Sequence, residues 1–498
     1  DVRRLRALSA ERNALLRNAA HLVHPVPVAV PTYGLGRDGK PALQAGLGLY
    51  DLLTARRNDG IADPVRRLAP SRMIGRDTVL EMFPGLPAAR LSGAAIFSDA
   101  QLHDPARFAL AVLRAAVEAG AQAANGLEAT GIVRKGITVT GIGVRTREGG
   151  DAFVIQGRTV VNTAGAWAER ILEEGLGLTF DPPLHFFRRV SLVVNRRPTH
   201  RMGLALLDQS RDSDTPLSRS KRHLFVLPRR DQLVLGEWRR DYSGVPEEAY
   251  LTDQEVETCV AEINGRHPGL RLNPSEVVRK NVALGLLEPP RRRTEHAREA
   301  AGARLIDHSV AHGMRGMVSL VGATWGTARM DAARVVDDVF RRFGTSGPPS
   351  AASSMQVYGG DVESLEDVVR EAHEMGLQWG FSRDRASDLV RNHGTGYKEV
   401  FDLVREDPTL AGSLPGTRIP RAEVVHAVRS EMALTLDDLV HRRTDLGLGV
   451  RPVPAIEEAA YLMSGELGWS AGRTRREVAR VRASTSTEPA PVAEHAQG

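Results

Sequence analysis

The stretch SLVGATWGTARMDAARVVDDVFRRF, Ser319 to Phe343, constrains the fold of this chain more than any other. A short apolar run ends at Gly322, and a helix follows in which Val335, Val336, Val339 and Phe340 recur at helical spacing. Strand, glycine turn and helix in that order belong to an α/β sheet protein. The turn is also suited to binding, because a helix start carries unpaired N–H groups and the positive end of the dipole. Those features suit a phosphate or the edge of a cofactor.

Helical and strand patterns alternate over residues 1–345. VRRLRALSAERNALLRNAAHLV reads as a helix with Leu5, Leu8, Leu15 and Leu16 near one face, and GLGLYDLLTARR as another. DPARFALAVLRAAVEAG carries its own punctuation, with Asp104 as N-cap, Pro105 at the first helical position and Gly120 as stop. GITVTGIGVRT, DAFVIQG and RTVVNTAG read as a strand meander ending in a buried strand. RVSLVVN, HLFVLPRRDQLVLGEW and EVVRKNVALGLL, set around a helix at Asp253 to Asn264, are expected to form a separate sheet. GTSGPPSAASSMQ reads as a linker. Consecutive amphipathic helices follow, from LEDVVREAHEMG to AIEEAAYLMSGELG, and make an all-α domain. The end, ASTSTEPAPVAEHAQG, is expected to be disordered, and no internal repeat is visible.

A chain of 498 residues has room for two or three domains, each with a core. Apolar residues at 42% and charged residues at 26% fit a soluble globular protein. No stretch approaches the roughly 18–20 uncharged apolar residues that span a bilayer, so only peripheral membrane contact is left open. Cys259, the one cysteine, lies in a helical pattern and is expected to be a small core residue, which points to a reducing compartment. The net charge of +5 is almost wholly arginine, with lysine at five positions. The densest basic run, Pro289 to Arg298, lacks the interleaved aromatics of a nucleic-acid surface, so no nucleic-acid partner is expected. The chain opens at Asp1 inside a helical pattern without signal or transit character, and residues upstream are expected to be missing.

Five separated stretches resemble the FAD-dependent glycerol-3-phosphate dehydrogenase and oxidase family, in that family's order. They are ERNALLRNAAHLVHPVPVAVPTYG continued by GLGLYDLL, then AAIFSDAQLHDPARFALAVLRAAVEAGAQAANG, VVNTAGAWAERI, ARLIDHSVAHGMRGMVSLVGATWGTAR and LPGTRIPRAEVVHAVRSEMALTLDDLVHRRTDLGLG. The resemblance implies a flavin domain of the glutathione-reductase type lacking its first βαβ unit, a mixed-sheet substrate domain and an all-α C-terminal domain. It places flavin parts at about 1–24, 98–175 and 300–345, and substrate parts at about 25–97 and 176–299. A linker at 346–358, the helical domain at 359–484 and a tail at 485–498 complete the division. The implied reaction is hydride transfer from C2 of glycerol 3-phosphate to FAD, giving dihydroxyacetone phosphate, with electrons passing to quinone or oxygen. A cytoplasmic location is implied, with peripheral contact at the inner face of the cell membrane and a homodimer left open.

Such a reaction needs a dinucleotide cradle, a flavin ring beside the carbinol carbon, a base for the hydroxyl proton and cations for the phosphate. The Gly pairs in GLGLY and GIGV lack the third glycine and the strand-turn-helix setting of a cradle. The family's cradle lies upstream of the match to Asp1, as does an Arg-Tyr pair that helps hold substrate, so the chain as it stands is expected to bind FAD poorly. The later half of the cofactor site is expected at Asn162, Ala164, Gly165 and Trp167, and at Gly322, Ala323, Gly326, Thr327 and Arg329.

On the substrate side the resemblance exposes three departures. Thr324 stands where a lysine is expected, Leu287 where an arginine is expected and Ser191 where a histidine is expected. Losing one buried cation beside a phosphate costs roughly 2–5 kcal/mol. Thr324, Thr327 and Arg189 are the expected substrate contacts, with Arg188, Arg222, Arg239 and Arg240 as further sources of charge, and no catalytic base is assigned. Trp325 and Trp238 would add apolar bulk to the pocket if they face it, favouring a larger or less polar substrate. His308 and His312 are four apart but have no third ligand at useful spacing, so no metal is expected. A same-family flavoprotein acting on another hydroxy compound, or a degenerate member acting through interactions, are the alternative readings.

Overall fold

The computed structural model describes residues 2–34, 40–147, 149–207, 223–288, 298–449 and 452–483. The Arg222 candidate, residues 289–297 of the basic run and the tail at 485–498 lie outside them.

Three helices and three strands open the chain with α1 (Val2–Asn18), β1 (Val23–Tyr33), α2 (Lys40–Leu53), β2 (Arg72–Gly75), a short α3 (Arg76–Met82) and β3 (Leu91–Leu102). After α4 (Pro105–Glu118) comes a meander of β4 (Leu127–Lys135), β5 (Thr138–Thr146) and β6 (Ala152–Gln156), then β7 (Val160–Asn162) and α5 (Ala168–Leu176). The strands β8 (His185–Val194), β9 (Gly203–Leu207), β10 (His223–Arg229) and β11 (Gln232–Tyr242) precede α6 (Asp253–Arg266), β12 (Val277–Glu288) and β13 (Arg298–Glu299). The α/β body closes with β14 (Arg304–Asp307), α7 (His308–Ala311), β15 (Met317–Val321) and α8 (Ala328–Arg342).

Nine strands form one large mixed sheet in the order β13-β12-β8-β11-β10-β9-β1-β3-β2, with β1 and β9 as its parallel pair. Pro25, Pro27 and Pro31 all have the same parity in β1, so their missing N–H groups fall along one edge of the strand. The opposite edge pairs with β3 along its whole length, whereas β9 covers β1 only at Val28 and Ala29. One face of the sheet buries Val190, Leu192, Leu204, Leu235 and Trp238 against Val256, Val260 and Ile263 of α6. Each such side chain contributes about 1.5–3 kcal/mol by leaving water. Thr252 and Glu255 start α6 with a reciprocal capping box.

The smaller sheets differ from the sequence expectation. The meander is β4-β5-β6, and its β4, LEATGIVRK, was not anticipated because its alternation is broken by Gly131 and charged residues. β7 leaves the meander and pairs with β15 in parallel, in the order β14-β15-β7. An apolar run as short as Val160–Asn162 shows its burial but not its partner.

The C-terminal region contains α9 (Leu365–Gly376), α10 (Arg383–His393), α11 (Tyr397–Glu406), α12 (Arg421–Glu431), a short α13 (Leu436–Asp438), α14 (Val453–Leu467) and α15 (Ala471–Ala483). Their apolar stripes make two cores, one around Val390, Tyr397 and Phe401 and one around Leu439, Ile456 and Met463. The Ser/Pro segment before them lies against α1, where Asn18 donates to Ser353 O at 3.1 Å and Asn18 O accepts from Val357 N at 3.0 Å.

Arg107 of α4 is one of the polar contacts between the body and the helices, with Arg114 to Glu399 and Arg230 to Asn392 beside it. Its guanidinium donates to Glu431 at 2.6 Å, Asn392 O at 2.9 and 3.1 Å, Arg443 O at 3.1 Å and His393 Nδ1 at 3.0 Å. Arg107 is 5% exposed and Glu431 1%. Burial alone would raise the Glu431 carboxyl, but Arg107, His393 and His426 hold it well below the usual carboxylate range. A guanidinium fork with all its donors engaged is the form in which a buried charge can be tolerated.

Candidate functional site

β7 and β15 run side by side in the same direction, with Met317 opposite Val160, Val318 opposite Val161 and Ser319 opposite Asn162. Their chains therefore leave the sheet at the same carboxyl end, which is where open α/β sheets form a ligand crevice. At the first exit, Asn162 is buried; its side chain accepts from Ala164 N at 3.1 Å and donates to Ala168 O at 3.0 Å. That pins the Gly165–Trp167 turn, in which Gly165 has φ +61°. A Cβ at Gly165 would touch nothing, so the space above this turn is free for a ligand to approach.

The second exit is the turn from Gly322 to Thr327. Gly322 has φ +86°, and an added Cβ would come 2.8 Å from Leu286 Cδ2 of β12. Thr327 is 9% exposed, and its hydroxyl lies 3.3 Å from that of Thr324 and 3.4 Å from Thr324 N. Ala323 to Gly326 are exposed, and among the described residues the amides of Trp325 and Gly326 have no hydrogen-bond partner. They sit just before the 15-residue helix α8. Free donors at a helix start suit the pyrimidine edge of a flavin, where charge develops on reduction, so the residues present fit that end of FAD.

The nucleotide half of FAD has no matching cradle in the described residues. Gly34-Leu-Gly-Arg-Asp-Gly39 does have Gly-x-Gly-x-x-Gly spacing, between β1 and α2, and it was missed in reading the sequence. Residues 35–39 lie outside the described set, and the flanking topology is wrong for a cradle. The strand after α2 is β2, which pairs antiparallel with β3 rather than parallel with β1.

Two residues expected at the cofactor are bonded to carboxylates. Arg329 pairs with Glu11 of α1, its Nε 3.0 Å from Oε2, and so ties α8 to α1. Trp167 is 44% exposed and donates from Nε1 to Glu247 at 2.7 Å.

On the substrate side, Ser191 lies opposite Asn281 and Leu287 opposite His185. Six residues of strand, roughly 20 Å, separate these two levels, so Ser191 and Leu287 are not brought together. Asn281 donates to Ser191 Oγ at 3.2 Å. Leu286, next to Leu287, is the residue that meets Gly322.

Arg189 crosses the neighbouring Gly285, where a Cβ would come 2.9 Å from its Nε. It is already engaged, with Glu299 and, at 3.5 Å, with Glu237. Arg239 pairs with the same two carboxylates, at 2.8 and 3.3 Å. Arg188 and Arg240 pair with Glu255 and Glu262. The cations expected to serve a phosphate are thus neutralised, and a phosphate would have to displace carboxylates. Trp238 is a core residue, 2% exposed and bonded to Glu262 at 2.8 Å, whereas Trp325 is 44% exposed and lies edge-on to Phe108.

His308 and His312 stack, with their Nδ1 atoms 3.0 Å apart. Their other nitrogens reach Ser319 Oγ and Thr179 O, both at 2.8 Å, so neither ring has a free nitrogen. Burial lowers the His308 pKa to about 4 and keeps it neutral. His393, His426 and Glu431 also place donor atoms within 4.8 Å of one another. Arg107 and Arg114 lie 3.0 and 3.4 Å from the two imidazoles, and their positive charge fills the place of a metal ion.

The contrast between the two glycines gives a direct test. Gly322→Val adds strain at positive φ and a clash with Leu286, an expected cost of about 2–4 kcal/mol. Gly165→Ala meets nothing and is expected to cost about 1 kcal/mol. Thermal unfolding of the two variants checks the difference; equal losses would mean that the Leu286 contact does not fix the turn.

The chain is similar to known proteins over nearly all of its length. The FAD dependent oxidoreductase family matches residues 6–335, and the C-terminal domain of alpha-glycerophosphate oxidase matches residues 350–474. The chain is 26% identical to glycerol-3-phosphate dehydrogenase 2 of Mycobacterium tuberculosis over 491 residues, which cover 97% of this chain and 78% of that protein. It is 24% identical to glycerol-3-phosphate dehydrogenase of Synechocystis over 476 residues, covering 92% and 81%. Its fold is similar to the glycerol-3-phosphate dehydrogenase of Bacillus halodurans complexed with FAD, with a TM-score of 0.74 at 21% identity, covering 98% and 86%.

Proposed function

The chain belongs to the FAD-dependent oxidoreductase family, and from that premise we propose that it oxidises the C2 hydroxyl of sn-glycerol 3-phosphate to dihydroxyacetone phosphate in glycerol metabolism. The observation that carries this reading is the pair of glycine turns leaving β7 and β15 at one sheet end, the second of them set against Leu286 of β12 in the large sheet. FAD, when bound, supplies the acceptor for the hydride and passes electrons to a quinone or to oxygen.

The chain's own residues do the rest. Asn162, Ala164 and Gly165 shape one wall of the cofactor site, and Gly322, Ala323, Gly326 and Thr327 the other, where the Trp325 and Gly326 amides face the developing charge. Arg329 and Trp167 brace these walls through Glu11 and Glu247. The large sheet supplies the substrate side. Thr324 and Thr327 offer hydroxyls to the phosphate, and Arg189 offers charge once Glu299 gives way. Residues 1–345 would hold both functions, with 359–484 as a helical support. No described helix is long and apolar enough to cross a membrane, and peripheral contact at the inner face of the cell membrane and homodimer formation are parts of the proposal.

The neutralised Arg189–Arg239 cluster favours a second reading, oxidation of a hydroxy compound with a weaker negative charge. Thr324→Lys separates the two. If glycerol 3-phosphate is the substrate, a lysine there lowers its KM about tenfold and leaves the KM for uncharged glycerol unchanged. An unchanged KM for glycerol 3-phosphate would count against a phosphate beside this turn.

A further inference from the structure

Beneath the large sheet, away from both glycine turns, lies a cavity of about 260 Å³ between the end of α3, the 196–202 connection and the turn that follows α6. Its walls are mainly apolar, with Met82, Phe83, Met202, Leu233 and Leu270 among them. The arginines and His200 around it are satisfied. Arg196 is held by Glu276 at 2.6 and 2.7 Å, and Arg197 pairs with Asp231 at 3.3 Å. His200 uses both ring nitrogens, one 2.9 Å from Met82 O and the other accepting from Met202 N at 3.3 Å.

His267, the C-cap of α6, is 4% exposed. Its Nδ1 is buried without a hydrogen-bond partner, and no described residue bonds its Nε2. A buried polar group left unpaired is costly, and among the described residues nothing around the cavity removes that cost.

We propose that this cavity is a binding site for a small neutral aromatic alcohol of two-ring size, hydrogen-bonded to His267. Size sets the first limit, since an apolar protein cavity of about 150 Å³ accepts benzene and this one is larger. Charge sets the second, because both arginines already have carboxylate partners and no free carboxylate lines the space. Burial lowers the His267 pKa to about 4, so the ring is neutral at pH 7 and can offer either a donor or an acceptor. A hydroxyl answers both, whereas a carbonyl answers only one. Two methionine sulfurs and the Phe83 ring suit an aromatic occupant. Bound there, the ligand would brace the 196–202 connection and the α6 terminus against the sheet, making the site an effector site separate from the redox centre.

Isothermal titration of the intact protein with 2-naphthol tests this. The wild type is expected to bind one equivalent with a Kd of about 10–100 µM, by the usual affinity per atom of small ligands. His267→Phe keeps the volume but loses the hydrogen bond, and the affinity for 2-naphthol should fall about 5- to 10-fold while that for naphthalene holds. Met202→Trp fills the cavity and should abolish binding of both. No saturable heat in the wild type at the solubility limit would overturn the proposal, and so would 2-naphthol binding that neither substitution weakens.

Discussion

Arg107→Leu is expected to destabilise the protein by about 3–5 kcal/mol, because it removes the nearest counter-charge of the buried Glu431 carboxylate and leaves only Arg114, at 3.9 Å, with the two imidazoles. Glu431 is 1% exposed and cannot turn to water without opening the contact between α4 and the helical region. The double variant Arg107→Leu/Glu431→Leu should recover most of the loss, since replacing both partners of a buried pair with apolar groups is often close to neutral. Denaturant unfolding of the four proteins in the cycle measures the coupling. Additive losses would show that Arg107 acts through Asn392 O and Arg443 O, and that the ion pair is incidental.

Acid lability is the second large effect. His21, His24 and His103 lie where β1 and β3 meet the helices, and each imidazole is held neutral, first by burial and then by nearby charged groups. Arg391 presses on His24, whose pKa falls to about 3, and Arg229, Arg230 and Arg391 on His103. A histidine whose folded pKa lies below its unfolded value of about 6.5 binds fewer protons when folded. Its stabilisation is therefore complete above pH 6.5 and is lost progressively as pH falls toward the folded pKa. At pH 5 a folded pKa of about 3, that of His24, corresponds to a cost of roughly 2 kcal/mol, and His21 and His103 add losses of the same sign. Glu431, held low, loses stabilisation in the same direction below its unfolded value, while His393, shifted upward, offsets part of the loss.

Thermal unfolding between pH 7.5 and 4.5 should thus show a steep fall in Tm starting near pH 6.5. The variant His24→Phe should flatten that fall. A Tm independent of pH over this range would contradict the buried neutral imidazoles.

The elements that could be read from sequence are those whose signals are local. The start of α4 at Asp104 and Pro105, the glycine turn before α8 and the run of C-terminal helices each carry their own punctuation. What stayed hidden depends on contacts distant in sequence. Arg107 and Glu431 are 324 residues apart, and nothing near either names the other. Arg189 and Arg239 look like free cations in sequence, yet Glu299 reaches both from β13, and Glu237, two residues from Arg239, also reaches Arg189 on the neighbouring strand. The departure of β7 from the meander has the same origin, since a three-residue strand carries no register information of its own.

The candidate site divides along the same line. Gly165 and Gly322 could be picked out because positive φ favours glycine, and both have it. That Leu286 packs on Gly322, and so sets the large sheet against the second turn, required the structure.

If the two glycine turns hold a flavin that sn-glycerol 3-phosphate reduces, anaerobic titration of the protein purified from its source cells will show that reduction as a loss of colour. A yellow protein is expected, its visible flavin band bleaching with one equivalent of sn-glycerol 3-phosphate. A yellow protein that keeps this band under excess glycerol 3-phosphate but loses it to another hydroxy compound would contradict the substrate, and a colourless one would contradict the flavin site itself.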